Sequence, residues 1–543
     1  MSKLKGRKMF NFANKGFWLL VLHAHLPFVR HPEYNDSLEE RWLYEAVIET
    51  YVPLLDMFER LLAENIEFKL VLSITPTLCN MLDDTFLQNR IVNHLEKLIE
   101  LAEKEIERNR YDEDFFQLAK MYYQRFNFVL YLFKEKYKKN ILSGFKKFQD
   151  LGFLEIVTSS ATHCYLPLYE VVPVGVRAQI KIGIEEYKKY FGRYPTGIWN
   201  AECGYYNGLD RILFEENIGF FFTDTHTVLN ASEKPKYGVF APLSTSNGVV
   251  FFGRDVETSR LVWSSKEGYP GDPYYREFYR DIGYDLDFNY VKPYILETGE
   301  RIFTGIKYYR ITDKNGPLEH KRVYEIEKAK EKVRQHSLHF VNSRDRQINY
   351  LSDFMDRKPL IVSMYDAELF GHWWFEGIDF LYNVIKLINE SSIIKMILPS
   401  EYLELYRENQ VAEPSMSSWG SNGYSEFWLN ETNDWIYRHL HKATERMIEL
   451  ATIFYKAKSK VYVDCLNQAA RELLIAQSSD WPFIMKTMTM VDYAKNRIVE
   501  SLNNFNTLYK MLKNKDVDEK FVKRLNSRNN IFQDIDYRVF ARV

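Results

Sequence analysis

Short apolar runs that end abruptly in polar residues recur along this chain. A run of four to eight apolar residues without alternation fits a strand buried on both faces, as in a parallel sheet. Residues 17–22 form the first such run, closed by His-Ala-His-Leu-Pro; residues 38–63 then carry apolar side chains at three-to-four spacing. Residues 68–74 form a second run, closed by Thr75-Pro76. The alternation resumes with strands at 153–158, Gly197–Trp199 and Phe220–Thr223, separated by helical patterns at about 174–191 and 209–216. Two more runs follow at 249–252 and 360–364. Strands alternating with helices in this order predict an α/β fold, either a parallel barrel or a doubly wound sheet.

Two stretches break the pattern. Residues 81–150 are charged, aromatic and helical in spacing, with no Pro and no Gly before Gly144, which predicts a helical subdomain inserted into the α/β unit. After about residue 400 the strands stop, and 434–455, 461–476 and 485–512 read as helices. The expected division is a barrel over 1–405, its insertion over 81–150, and a C-terminal helical domain over 406–543. Between 267 and 312 the chain is irregular and rich in Tyr, Gly and Pro, and long loops of this kind commonly carry function.

Charge and composition narrow the partners. Across 543 residues, 72 Lys and Arg face 74 Asp and Glu, so no basic field exists to draw nucleic acid or an anionic membrane. Aromatic residues make up 16% of the chain, more than a core alone asks for. Rings with one polar atom suit neutral ligands that offer both CH faces and hydroxyls, as sugars do. The four cysteines are too sparse for a disulfide scaffold and have no metal-type spacing. The basic start lacks a signal peptide's apolar stretch, and no run of about 18 apolar residues follows. A soluble, cytoplasmic monomer is expected.

Four polar segments follow strands, where parallel α/β folds place their sites. His23 and His25, two apart, project from one side of the backbone. They fit a sugar pocket, or a metal site if His163 or Asp224 joins them. His163 lies at the next strand-to-loop junction. Glu202 follows a very short strand amid rings, an expensive place for an unused carboxylate. The segment from Tyr365 to Gly377 crowds Asp366, Glu368, His372, Trp373, Trp374 and Glu376 behind another strand. Glu202 and Asp366 together supply the two carboxylates that glycoside hydrolysis uses. Nucleotide-binding glycine motifs and a GxSxG elbow are absent.

These segments resemble glycoside hydrolase family 57, and within it the α-1,4-glucan branching group. The resemblance runs from Leu20-Val-Leu-His-Ala-His-Leu-Pro through Glu40-Arg-Trp42-Leu-Tyr-Glu, the Glu202 and Asp366 segments, Phe252-Gly-Arg254-Asp255 and Glu267-Gly-Tyr-Pro-Gly271-Asp272. Downstream it includes Ser418-Trp419-Gly420, Trp428-Leu-Asn430 and Gln477-Ser-Ser-Asp480-Trp481. It implies a (β/α)7-type barrel with an inserted helical subdomain and a C-terminal helical domain that completes the substrate groove.

It further implies Glu202 as nucleophile and Asp366 as general acid/base of a retaining double displacement, with no cofactor and no metal. Substrate-binding positions carried over are His23, His25, Trp42, His163, Arg254, Trp263, Gly271, His372, Trp419, Trp428 and Asp480. The implied partner is an α-glucan such as amylose, glycogen or starch. One departure stands out: branching members are expected to carry a long mobile loop, bearing a Tyr, after the strand Phe220–Thr223. Here 225–253 is short, with Tyr237 the candidate ring, so considerable hydrolysis is expected beside transfer. The alternatives are an α-amylase-type hydrolase, a metal-dependent carbohydrate hydrolase and a non-catalytic glycan-binding protein.

Overall fold

The computed structural model describes residues 14–264 and 267–542. The basic N-terminal stretch lies, up to residue 13, outside the described residues, and no described helix is long and apolar enough to cross a membrane.

Nine strands form one sheet: β1 Gly16–Ala24, β2 Leu70–Ile74, β3 Leu154–Ser159, β4 Gly197–Trp199, β5 Phe220–Thr223, β6 Leu243–Ser244, β7 Val250–Gly253, β8 Leu360–Asp366 and β9 Ile394–Met396. Seven run parallel in the order β7-β5-β4-β3-β2-β1-β8, the strands of a (β/α)7 barrel. The two-residue β6 pairs antiparallel with β7. β9 pairs with Gly16–Trp18, the end of β1 that β2 leaves free. No ladder joins β7 to β8. Instead the Asp255 N–H donates to the Val362 carbonyl at 2.8 Å, and the Tyr365 hydroxyl donates to the Thr258 carbonyl at 3.0 Å.

Alternate residues of each strand fill the interior, as a strand's period of two requires. Phe17, Leu19, Val21, Val71, Val157, Trp199, Phe220, Phe222, Phe252, Leu360, Val362 and Met364 make one apolar cluster inside. Trp18, Leu20 and Leu22 face the helices. Tyr402, from the helix Pro399–Leu405, closes the bottom edge-on against Phe17 at 6.1 Å. At the other mouth the same inward period continues past Val21 to His23 and past Met364 to Asp366, which are register partners. At the bottom the inward row of β3 ends on Glu155, which accepts hydrogen bonds from Thr196 and Ser400.

Helices Pro76–Asp83, Thr85–Arg108, Glu113–Leu130 and Ile141–Asp150 lie between β2 and β3. Asp84 caps the longest by accepting the backbone N–H groups of Phe86 and Leu87, and Leu87, Ile91, Leu95 and Leu98 form its buried stripe. Beyond residue 430 five helices follow, from Trp435–Ile453 to Glu519–Arg528. Their contact with the barrel mouth is specific: the Ser479 N–H donates to the His163 carbonyl at 3.1 Å, and the Thr162 hydroxyl to the Leu474 carbonyl at 2.6 Å.

The loop after β8 turns at Gly371, whose φ is +103° and whose missing Cβ would stand 2.0 Å from the Glu49 carbonyl oxygen. Gly371→Ala is expected to lower the thermal midpoint by a destabilisation of about 1 to 3 kcal/mol. Gly208→Ala, with φ +99° and nothing within 4 Å, should cost less. Equal midpoints by calorimetry would contradict the steric account.

Candidate active site

The strand ends surround a cleft of about 740 Å³. His23, His25, His163, Glu202, Arg254, Trp263, Asp366, Trp419 and Asp480 all line it, joined by Leu26, Glu368, Trp373 and Phe483. Long sequence separations collapse here: His25 and Asp480, 455 positions apart, are hydrogen-bonded.

Glu202 sits three residues past Trp199, in a backbone conformation (φ 62°, ψ 24°) that L-residues adopt at a cost. Cys203 and His163 share the left-handed region, with φ of 52° and 53°. The strained turn holds the Glu202 carboxylate between two donors from distant segments. Trp419 Nε1–H donates to Oε2 at 2.7 Å and the Ser479 hydroxyl to Oε1 at 2.9 Å. The Trp419 backbone N–H donates to the Glu202 carbonyl at 2.8 Å. Burial pushes the carboxyl up to about 7, with the Asp480 charge adding to it and these two hydrogen bonds resisting.

Asp366 ends β8. Burial, then the charges of Glu368 and Glu202, push its carboxyl well above the ordinary range, and Arg254 opposes them. Glu368 is itself raised by burial, accepting the Tyr51 hydroxyl and, at 3.2 Å, the His25 backbone N–H. Arg254 is held by Asp224 through Nη2 at 2.6 Å and Nε at 3.3 Å, with its guanidinium 5.8 Å from the Trp419 ring.

The three histidines form a stack. His25 lies 4.0 Å and His23 4.9 Å from the His163 ring, and Trp199 continues the stack 4.6 Å from His23. Their nitrogens are occupied: His23 by Ser73 and His163, His163 also by Ser479, and His25 by Thr75 and Asp480. Burial first, then the neighbouring imidazoles, keep His23 well below its ordinary pKa; burial and the His25 charge do the same to His163. For His25, burial is outweighed by Asp480 2.9 Å away, so its pKa rises while that of Asp480 falls. The result is one ion pair beside two neutral rings. Stacked imidazoles do not converge their lone pairs on a point, and among the described residues no group of three or more His, Cys, Asp or Glu could hold a metal ion.

Four of the substrate-binding positions implied by the resemblance do not line the cleft. Trp42 packs against the core edge-on to Tyr493 at 6.1 Å. Gly271 stands against the Lys314 side chain. His372 Nδ1–H donates to Glu49 Oε2, 2.5 Å away, and the ring supports the neighbouring Trp373 ring edge-on at 5.2 Å. Trp428 is buried behind the wall, stacked on Tyr165 at 4.8 Å. Tyr237 is no lid: its hydroxyl meets Asp356, ahead of the N-terminal end of β8 and so at the opposite end of that strand from Asp366. No residue of 225–253 lines the cleft, because this segment runs down the barrel, where the Phe240 carbonyl accepts the Leu360 N–H.

Sequence reasoning missed Ser479 and Tyr51, and named Glu368 and Trp373 only as members of the 365–377 segment, without a role. Ser479 and Glu368 flank chosen residues; Trp373 is 54% exposed and stacked on Phe278 at 4.6 Å, a ring left open on one side.

A model described as Glycosyl hydrolase family 57 matches residues 19–346 and 341–417, and one described as 1,4-alpha-glucan branching enzyme, C-terminal, matches 439–540. The 1,4-alpha-glucan branching enzyme TK1436 of Thermococcus kodakarensis is 32% identical, over 96% of this chain and 78% of that protein. Among solved structures, the GH57-type branching enzyme of Pyrococcus horikoshii superposes with a TM-score of 0.87 at 33% identity, covering 97% of both chains. The α-amylase AmyC of Thermotoga maritima superposes with a TM-score of 0.92 at 48% identity, covering 97% of this chain and 99% of that one.

Difference infrared titration of the wild type against Glu202→Gln is expected to show a carboxyl titrating near about 7. Trp419→Phe removes a donor that favours the charged form, so the midpoint should rise by roughly one unit. A Glu202 midpoint near about 4, the unperturbed range, would contradict this electrostatic account.

Proposed function

The chain belongs to glycosyl hydrolase family 57, and from that membership we propose that it is a retaining 1,4-α-glucan branching enzyme with considerable hydrolysis beside transfer. The observation that supports the reading is the pair Glu202 and Asp366 in one ring-lined cleft, both raised by burial but with different neighbours. Two donors favour the charged form of Glu202, whereas two neighbouring carboxylates favour the neutral form of Asp366. This difference in neighbours supports Glu202 as nucleophile and Asp366 as acid.

Glu202 attacks C1 of an α-1,4-linked glucose while Asp366 gives its proton to the departing 4-oxygen. A covalent glucosyl-enzyme forms. Asp366, now charged, takes the proton of the incoming hydroxyl: a glucan 6-hydroxyl yields an α-1,6 branch, and water yields hydrolysis. Trp263, Trp373 and Trp419 offer ring faces to sugars, and the charged His25–Asp480 pair and Arg254 offer hydrogen bonds to hydroxyls. In this reading the catalytic unit is 1–405 with the helical insertion 81–150, and 406–543 completes the groove with Trp419, Ser479 and Asp480.

A second reading, an α-amylase-type hydrolase, is favoured by the 48% identity to AmyC and by the course of 225–253, which leaves the cleft without a cover on that side. Water then competes with the acceptor hydroxyl. Proton NMR of amylose incubated with the enzyme separates the two. Growth of the α-1,6 anomeric signal together with a rise in reducing ends is expected; reducing ends alone would leave the amylase reading, and no change in either would contradict both.

A further inference from the structure

A second cleft, of about 660 Å³, lies where the inserted helix Glu113–Leu130 meets helices Val52–Ala63, Ile326–Ser352 and Gly377–Glu390. It shares no lining residue with the catalytic cleft. One loop serves both: Trp373 lines the first, and Phe375 and Glu376 line the second.

Two buried polar atoms here lack a hydrogen-bond partner among the described residues, Nη2 of Arg125 and Oε2 of Glu376. Glu376 is only 4% exposed, and its other oxygen is fully engaged, accepting the Tyr324 hydroxyl at 2.7 Å and the Arg276 N–H at 3.0 Å. The Arg125 guanidinium rests 4.6 Å from the Phe375 ring, and among the described residues no carboxylate lies in salt-bridge range of it. Buried polar groups are nearly always satisfied, so an unpaired donor and an unpaired acceptor on two residues that line one cleft point to an occupant that supplies both.

The charge around them indicates which. Four acidic and four basic side chains line the cleft. Lys330 is paired with Glu327 at 2.8 Å, and Arg60 stands 3.9 Å from Asp56. No net positive field is left for a phosphate or nucleotide, whereas hydroxyl groups both donate and accept. The half-exposed Phe128 adds an apolar ring face that sugar CH groups cover.

We propose that this second cleft binds a segment of α-glucan chain, held by Arg125 and Glu376 and separate from the catalytic cleft. The ligand's identity rests on the α-glucan reading given above. Holding a polymer at two points raises the local concentration of its chain at the catalytic cleft, so this site acts on long substrates and not on short ones.

The test uses the full chain. Calorimetric titration of Glu202→Gln with maltoheptaose should give two sites per chain, falling to one when Arg125→Met or Phe128→Ser is added. In the otherwise wild-type enzyme, either substitution should raise KM for amylose roughly fivefold, the worth of one hydrogen bond, with kcat on maltoheptaose unchanged. Phe128→Ser changes an exposed residue and keeps the test open if Arg125→Met does not fold. A single site in Glu202→Gln, or two sites and an amylose KM indifferent to both substitutions, would overturn the proposal while leaving the catalytic reading intact. A wild-type enzyme that leaves amylose untouched and binds no maltoheptaose would overturn the α-glucan reading itself, and this site with it.

Discussion

A carboxylate taken out of water needs donors from the protein, and Glu202 finds both of its side-chain donors far away in sequence. Trp419 is 217 and Ser479 is 277 positions distant. Neither belongs to the barrel strands. The cleft therefore exists only when the chain beyond residue 405 docks on the strand ends, and the bonds from Ser479 to His163 and from Thr162 to Leu474 are the means of docking. Barrel, insertion and C-terminal helices converge on this one desolvated group. Its cost is offset by hydrogen bonds that also set its reactivity.

The surrounding charges follow the same logic. A stack of three cationic imidazoles would be untenable in a buried wall, and only His25 has a carboxylate partner. Burial leaves His23 and His163 neutral, so each passes a hydrogen bond along the chain Ser73–His23–His163–Ser479–Glu202. The orientation of Ser479, and through it of Glu202, is thus fixed from β2. Across the cleft Glu368 supplies the opposite influence: a second carboxylate, anchored by Tyr51 and placed two residues from Asp366, favours the protonated acid.

Much of this was legible in the sequence because barrel strands announce both their burial and their ends. Short, mainly apolar runs mark six of the seven parallel strands, and 197–199 reads as a very short one; the polar residues just past them are the cleft. What stayed illegible depends on tertiary contact. Trp42 and Trp428 look like sugar-stacking rings in sequence, yet local helix geometry turns one onto the core and packing buries the other behind Tyr165. His372 supports Trp373 from behind instead of facing the cleft, a difference of one position in a tight turn. Ser479 carries no sequence signal, since a serine's role comes entirely from its partner. Tyr237 was misplaced because loop length does not tell direction, and 225–253 descends along the barrel. The very short β6 and β9 escape any periodicity argument.

The division of labour between the two carboxylates is tested most directly by trapping the intermediate. Asp366→Ala, given α-glucosyl fluoride, keeps the nucleophile and a leaving group that needs no acid, while losing the base that speeds turnover. Acid quenching followed by peptide mass spectrometry should then find one glucosyl unit on the peptide carrying Glu202, and none in the Glu202→Gln, Asp366→Ala double variant. A fluoride burst with no adduct at Glu202, or an adduct on another residue, would contradict the assignment.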